Sequence, residues 1–369
     1  MSTLSLIASS LKKGQKNTFI SKGNSMSPLI PNNTKITIIP KKFSEIRLYD
    51  IVAIKIKNNI VIHQCLFKCP KYLVCQGVNN HFIDLPALPN QILGTVEIDN
   101  YYQIINLAYD YELRRIHNLI PKIPILILKG ATWQKFYYGY YFNKQSSDID
   151  ILIYKSYYSQ IKKTLKKLGF CQYQFPAKLS QTNEISFSKK INSIYLTIDL
   201  HLLAIRSPFK IKFRQPTTPL KMSELSEEFF QNSSSQNNLF YLKDEYLIFY
   251  LCLNSIFHHA VRGTDILAHI ANINANEKIN WSNFWKLSNK YQCSNFVYYP
   301  LLWSSKLFKV NVPNLKKHQP KPIRHFLVRF FVNRITVFRP FSNLGCDLFS
   351  TYINAIIIFI IRLVLYDQK

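Results

Sequence analysis

Asp148 and Asp150 stand two apart in Ser146-Ser147-Asp148-Ile149-Asp150-Ile151-Leu152-Ile153. On a β-strand, residues i and i+2 point to the same face. Two carboxylates side by side at the start of an apolar strand repel each other unless a cation lies between them. That arrangement suits Mg²⁺ and a nucleoside triphosphate. Taken alone, an acidic-x-acidic triplet is as readily a solvated strand start. Its surroundings favour the metal. Upstream, Ile123–Leu128 reads as a buried strand ending in Lys129-Gly130-Ala131. A glycine just after a strand permits a tight turn and close approach of backbone amides to phosphate, and Lys129 supplies a cation. Downstream, Ile194–His201 is another strand candidate, with Asp199 and His201 on one face. A third carboxylate on a neighbouring strand completes a two-metal site.

These residues resemble an uncharacterised nucleotidyltransferase family of the polymerase-β-like superfamily. The likeness is carried by Leu128-Lys129-Gly130, Asp148-Ile149-Asp150 and Ile198-Asp199-Leu200-His201. It continues through the apolar helix Glu245–Ala260, then Asp265-Ile266-Leu267-Ala268, then Trp281 and the long helix after it, and covers about residues 105–312. The resemblance implies Mg²⁺ (or Mn²⁺) on Asp148, Asp150 and Asp199, with Lys129 and Gly130 at the phosphates of an NTP. The family has an arginine shortly before the acidic pair; Lys144 stands nearest that position and donates to phosphate without a bidentate fork.

A second constellation lies in the N-terminal third. Gly23-Asn24-Ser25-Met26-Ser27-Pro28 precedes strand-like runs at Lys35–Ile39, Asp50–Ile56, Ile60–His63, Leu73–Gly77 and Leu93–Val96. A serine hydroxyl attacks a carbonyl when a base takes its proton, and a histidine oriented by a carboxylate does this well. Ser25, His63 and Asp84 are the available set. Singly, each reads as a turn or strand-end residue. Together they resemble the clan of type I signal peptidases and LexA-like serine peptidases. Its Gly-x-Ser-Met-x-Pro box is matched by Gly23, Ser25, Met26 and Pro28. Three later boxes match in part: Tyr49-Asp50-Ile51-Val52 without its glycine, His63-Gln64 without its arginine, and Gly77-Val78-Asn79-Asn80 without its first aspartate. The resemblance implies a histidine-type site with Ser25, His63 and Asp84 catalytic.

The expected architecture is therefore multidomain. A β-rich signal-peptidase/LexA-like domain occupies 1–99. An α/β (α+β) nucleotidyltransferase domain occupies 105–312, with its core to about 230 and a helical part over 239–312. A basic, aromatic and apolar tail fills 313–369. Each unit has its own apolar pattern and is expected to bury its own core. Tyr157–Leu168 reads as the helix after the acidic strand, and Gln231–Asn238 as a loop between the two halves. Hydrophobic content of 47% excludes general disorder. The net charge of +27 comes with many Lys, Ile and Asn and few glycines, so the lysines spread over all faces. Without a zinc-finger spacing or RNA-binding aromatic box, dedicated nucleic-acid binding is not expected. The seven cysteines are scattered and odd in number, which suggests reduced thiols in a cytoplasmic protein. Residues 1–24 hold no apolar helix long enough for a signal-peptidase anchor. Leu348–Tyr366 is strongly apolar but interrupted by Asn354 and Arg362. A helix packed on the helical part is the first reading there, and weak contact with the inner membrane face is the second. The expected partners are an NTP and an unidentified peptide or protein. The competing reading is a non-catalytic protein that merely holds a peptide and a nucleotide.

Overall fold

A computed structural model describes residues 3–80, 82–97, 101–172, 184–192, 194–205, 222–236, 239–257, 264–276 and 278–320. The apolar tail at 348–366 lies outside the described residues. Packing divides the chain into two units, Met1–Tyr111 with Gln134–Ser146, and Glu112–Trp133 with Ser147–Lys369.

The first unit is one helix, α1 (Thr3–Lys12), and six strands: β1 (Asn17–Ile20), β2 (Lys35–Ile39), β3 (Ile51–Ile56), β4 (Asn59–Cys69), β5 (Tyr72–Gln76) and β6 (Ile92–Val96). They form one sheet in the order β1-β2-β6-β3-β4-β5, antiparallel at every pairing. The alternation in Lys35–Ile39 turns Ile36 and Ile38 inward. The core joins them to Ile51, Ala53, Leu93 and Val96, to Ile30, and to Ala8 and Leu11 of α1. α1 thus packs Ala8 and Leu11 on the sheet. Met26 belongs to the same core at 5% exposed, so the residue after Ser25 pins the serine turn to the sheet.

Helix α2 (Tyr101–Leu119) follows. Ile105, Tyr109, Leu113 and Ile116 make its buried stripe at helical spacing. The second unit is built on β7 (Ile125–Lys129), after which α3 (Ala131–Tyr138) leads toward β8 (Ile149–Leu152). Then come α4 (Tyr158–Lys167), β9 (Cys171–Gln172), β10 (Glu184–Ile191), β11 (Ile194–His201), α5 (Met222–Gln231), β12 (Ser233–Gln236) and β13 (Leu239–Leu242). The sheet order is β12-β13-β7-β8-β11-β10-β9. β8 and β11 run parallel, as do β13 and β7. The four apolar residues of β7 show no exposure, as a central strand covered on both faces requires.

The stretch expected to be a loop at 231–238 is corrected here. Its Ser233–Gln236 pairs with β13 as the outermost strand. An edge strand needs no apolar face, so its Ser and Gln composition concealed it. The helical half consists of α6 (Asp244–Phe257), α7 (Thr264–Asn276), α8 (Trp281–Lys290) and α9 (Ser294–Phe308). α6 contacts the other three, so Leu247–Leu253 is buried all round. Asn280 caps α8 by accepting from the Asn283 amide at 3.0 Å. Beyond α9, His318 stacks on Trp285 with ring centroids 3.7 Å apart. Among the described residues, no helix is long and apolar enough to cross a membrane.

Candidate functional site

The register of the second sheet sets its polar site. Lys129 of β7 lies opposite Asp150 of β8, and Asp150 lies beside Asp199 of β11. Lysine, aspartate and aspartate therefore form one row across three strands. A β-bulge between Ile127 and Lys129 puts the lysine into that row. Asp148 precedes β8. One ligand oxygen from each of Asp148, Asp150 and Asp199 falls within a cluster whose members all lie within 4.8 Å of one another. The glycine after β7 is required by geometry. Gly130 has φ +104°, and a Cβ there would meet the Asp148 carbonyl oxygen at 2.7 Å and Ile149 Cα at 3.0 Å. Only glycine lets the two ends of the site come this close.

Asp150 is 3% exposed and is gripped on both sides. His201 Nε2–H donates to its Oδ1 at 2.7 Å, and the Lys129 ammonium lies 3.0 Å from its Oδ2. Lys129 is also 3.7 Å from Asp148 Oδ1. Burial pushes the Asp150 carboxyl up, but Lys129 and His201 more than offset it and hold the group well below the usual range. Burial likewise opposes the charge on Lys129, yet Asp150 and Asp148 keep its ammonium firmly protonated. Asp199 has less compensation: burial, then the Asp150 charge, raise it to about 6. Asp148 is raised by burial and by Asp150. Asp199 Oδ1 is buried and accepts no hydrogen bond, and Asp150 Oδ2 has only the ammonium. One orphaned oxygen and one held only by an ammonium, in a three-carboxylate cluster, fit a hard divalent cation, which takes oxygen ligands. Lys144 belongs to the first unit, where its ammonium lies 5.4 Å from the centre of the Tyr49 ring.

The first unit brings Ser25, His63 and Asp84 together. Ser25 Oγ lies 3.1 Å from His63 Nε2, and His63 Nδ1 lies 2.6 Å from Asp84 Oδ2. His63 sits in β4 at 7% exposed. Three loops hold the set. The Asn79 amide donates to the Ser25 carbonyl at 2.8 Å. A Cβ on Gly77 would meet that carbonyl oxygen at 2.7 Å, which explains the glycine of that box. The Asp84 amide donates to Cys75 O at 2.8 Å, and Ala87 exchanges two hydrogen bonds with Leu73, tying the aspartate loop to β5. Phe82 and Leu85, on either side of Asp84, are 84% and 88% exposed.

Tyr49 adopts φ +65°. A left-handed backbone is costly for a non-glycine residue, and other contacts compensate. Tyr49 is 1% exposed, its amide donates to Cys65 O at 2.7 Å, and its ring packs 4.4 Å from that of Phe142. Gln64, in place of the arginine, donates to Tyr49 O at 3.3 Å and Asn143 O at 3.2 Å. Sequence reasoning gave His201 a face and no task. Its signal was the period-two spacing from Asp199, but its reach to Asp150 depends on a strand pairing that no local pattern reveals.

A family described as uncharacterised nucleotidyltransferase matches residues 87–309, more than half of the chain. Among solved structures, a presumed nucleotidyltransferase from H. pylori aligns with 64% of this chain and 99% of its own, at 11% identity and TM-score 0.33. No curated protein matches the chain.

Proposed function

The chain belongs to the uncharacterised nucleotidyltransferase family, and on that premise we propose that it transfers a nucleoside monophosphate from an NTP to an acceptor hydroxyl. The observation that carries this reading is the cluster of Asp148, Asp150 and Asp199 oxygens, with Asp199 Oδ1 unpartnered and Asp150 Oδ2 held only by the Lys129 ammonium. These three carboxylates would hold Mg²⁺ or Mn²⁺, which supplies charge neutralisation at the α-phosphate and at the attacking oxygen. His201 fixes Asp150 Oδ1, so Oδ2, where Lys129 now stands, is the ligand oxygen. Lys129 moves to the phosphates. Lys144, four residues before Asp148 in the chain, is assigned to phosphate by that position alone. The acceptor oxygen bonds to the α-phosphorus, the bond to the bridging oxygen breaks, and pyrophosphate leaves. Asp199 takes the hydroxyl proton on the carboxylate oxygen that does not hold the cation. The test is label transfer from α-³²P NTPs to protein and small-molecule acceptors, with Mg²⁺ or Mn²⁺. Asp148→Asn with Asp150→Asn should abolish both transfer and metal-dependent NTP binding; equal ATP affinity in the double variant defeats the reading.

A second activity in the first unit is favoured by the Ser25–His63–Asp84 distances. We propose a serine peptidase step. Ser25 Oγ attacks a peptide carbonyl, His63 Nε2 accepts its proton, and Asp84 accepts from Nδ1–H and stabilises the imidazolium. His63 then gives the proton to the leaving amine, and water hydrolyses the acyl-enzyme. Phe82 and Leu85 offer apolar contact to the substrate chain. A peptide boronate or fluorophosphonate should label Ser25, and His63→Ala should stop it; labelling that persists removes His63 from the mechanism.

A further inference from the structure

Lys129 stands between two carboxylates of the cluster that could hold a divalent cation. Its ammonium is 3.0 Å from Asp150 Oδ2 and 3.7 Å from Asp148 Oδ1, two of the three carboxylates that cluster within 4.8 Å. His201 occupies Asp150 Oδ1 at 2.7 Å, so Oδ2 is the oxygen of that residue left for a metal. Mg²⁺ binds oxygen at about 2.1 Å. An ion on Oδ2 and an ammonium hydrogen-bonding distance from the same atom compete for one small space and repel each other. The lysine is able to leave. Its side chain is 29% exposed, against 4% for Asp150, and it ends a strand next to Gly130, whose φ of +104° lets the backbone turn away at once. Leaving without a new partner would strand an ammonium beside buried apolar strands. A triphosphate supplies that partner, with strong acceptor oxygens and charge of the right sign.

We propose that Lys129 is a placeholder: in the nucleotide-free protein its ammonium stands in for the divalent cation between Asp148 and Asp150, and it gives up that place when the triphosphate arrives and draws it away. This rests on the nucleotidyltransferase reading and adds an order to it. Metal and triphosphate bind together, and metal alone binds poorly. The lysine keeps the acidic row from repelling itself while empty, and keeps it from loading with metal before a substrate is present.

The test is Mn²⁺ binding to the full chain, followed by electron paramagnetic resonance and by the melting temperature, with no nucleotide present. Wild type should bind Mn²⁺ weakly. Lys129→Met should bind it about tenfold more tightly or better, because a positive charge a few ångströms from the ion is gone. Mn²⁺ should also raise its melting temperature more than that of wild type. Adding Asp150→Asn to Lys129→Met should erase the gain. Calorimetry with Mg·ATP should show the reverse order, with wild type tighter than Lys129→Met. If Lys129→Met folds poorly, Lys129→Gln serves, and rescue of its melting temperature by Mn²⁺ is itself an expected result. Equal nucleotide-free Mn²⁺ affinity in wild type and both lysine variants, with ATP still bound in a metal-dependent way, overturns the placeholder and leaves the nucleotidyltransferase reading intact. No Mn²⁺ bound by any form, with or without ATP, overturns both.

Discussion

Gly130→Ala separates two costs that are usually mixed. Gly130 and Gly169 both belong to the second unit, and both have positive φ, +104° and +85°. An alanine at either position pays for a left-handed backbone, about 1–2 kcal/mol. Their surroundings differ. A Cβ on Gly169 meets only Lys189 Cε at 3.9 Å, ordinary contact with a flexible side chain. A Cβ on Gly130 meets backbone atoms at 2.7 and 3.0 Å, and backbone in a buried sheet does not yield cheaply. Overpacking of this kind costs roughly 1–3 kcal/mol more. Gly169→Ala is therefore expected to lose about 1–2 kcal/mol and Gly130→Ala about 2–5 kcal/mol. Urea denaturation followed by tryptophan fluorescence measures both. The contact also predicts where the damage falls. The displaced atoms belong to Asp148 and Ile149, so Gly130→Ala should weaken metal-dependent ATP binding in the folded protein while Gly169→Ala leaves it alone. Equal stability losses and equal ATP affinity in the two variants would refute the argument from close approach.

Two further outcomes follow from the same geometry. Asp199 has its folded pKa raised to about 6 from an ordinary 3.8, so its contribution is fully present below pH 4 and is lost as pH rises through 6. Metal-free protein should lose stability over that window, and Asp199→Asn should flatten that limb of the melting-temperature profile; an unchanged profile removes Asp199 as its source. At Tyr49, truncation to alanine gives up a buried ring, about 3–5 kcal/mol by analogy with phenylalanine, and keeps the strained φ of +65°. Tyr49→Gly gives up the same ring but relieves the strain, so it should be more stable than Tyr49→Ala by about 1 kcal/mol. The opposite order in denaturant midpoints would mean that the backbone at 49 is not held by its neighbours.

Much of this was legible in the sequence because strands and carboxylates leave local marks. Ile194–His201 is a strand with the bounds its pattern suggests, and Lys35–Ile39 is another. The period of two put Asp148 with Asp150 on one face before any pairing was known. What the pattern cannot carry is the pairing itself. Asp199 lies beside Asp150 because β11 runs parallel to β8 in that register, and a shift of one residue would have turned the carboxylate away. The same limit hid the role of His201. β12 was missed because an edge strand made of serine and glutamine has no apolar face to announce it. Ser25, His63 and Asp84 are far apart in the chain, and only motif resemblance linked them. Their 3.1 and 2.6 Å distances come from tertiary packing. The partition was also out of reach, since Gln134–Ser146 has no compositional break to mark its change of unit.

That change of unit imposes a timetable on the nascent chain. Gln64 is 7% exposed and donates to Asn143 O, Asp50 is 7% exposed and accepts from Asn143 Nδ2 at 3.3 Å, and the Leu48 amide donates to the Tyr140 hydroxyl at 2.9 Å. A ribosome delivers Leu48, Asp50 and Gln64 long before it delivers Tyr140 and Asn143. Until then Gln64 has Tyr49 O and Asp50 has the Arg47 amide, and water stands in for the partners that Tyr140 and Asn143 later bring. The hydrogen bonding around the N-terminal sheet is therefore completed only after β7 and the Lys129-Gly130 turn have been synthesised. Translation thus sets an order in which the last of these hydrogen bonds close behind the segment that carries the first residues of the acidic site.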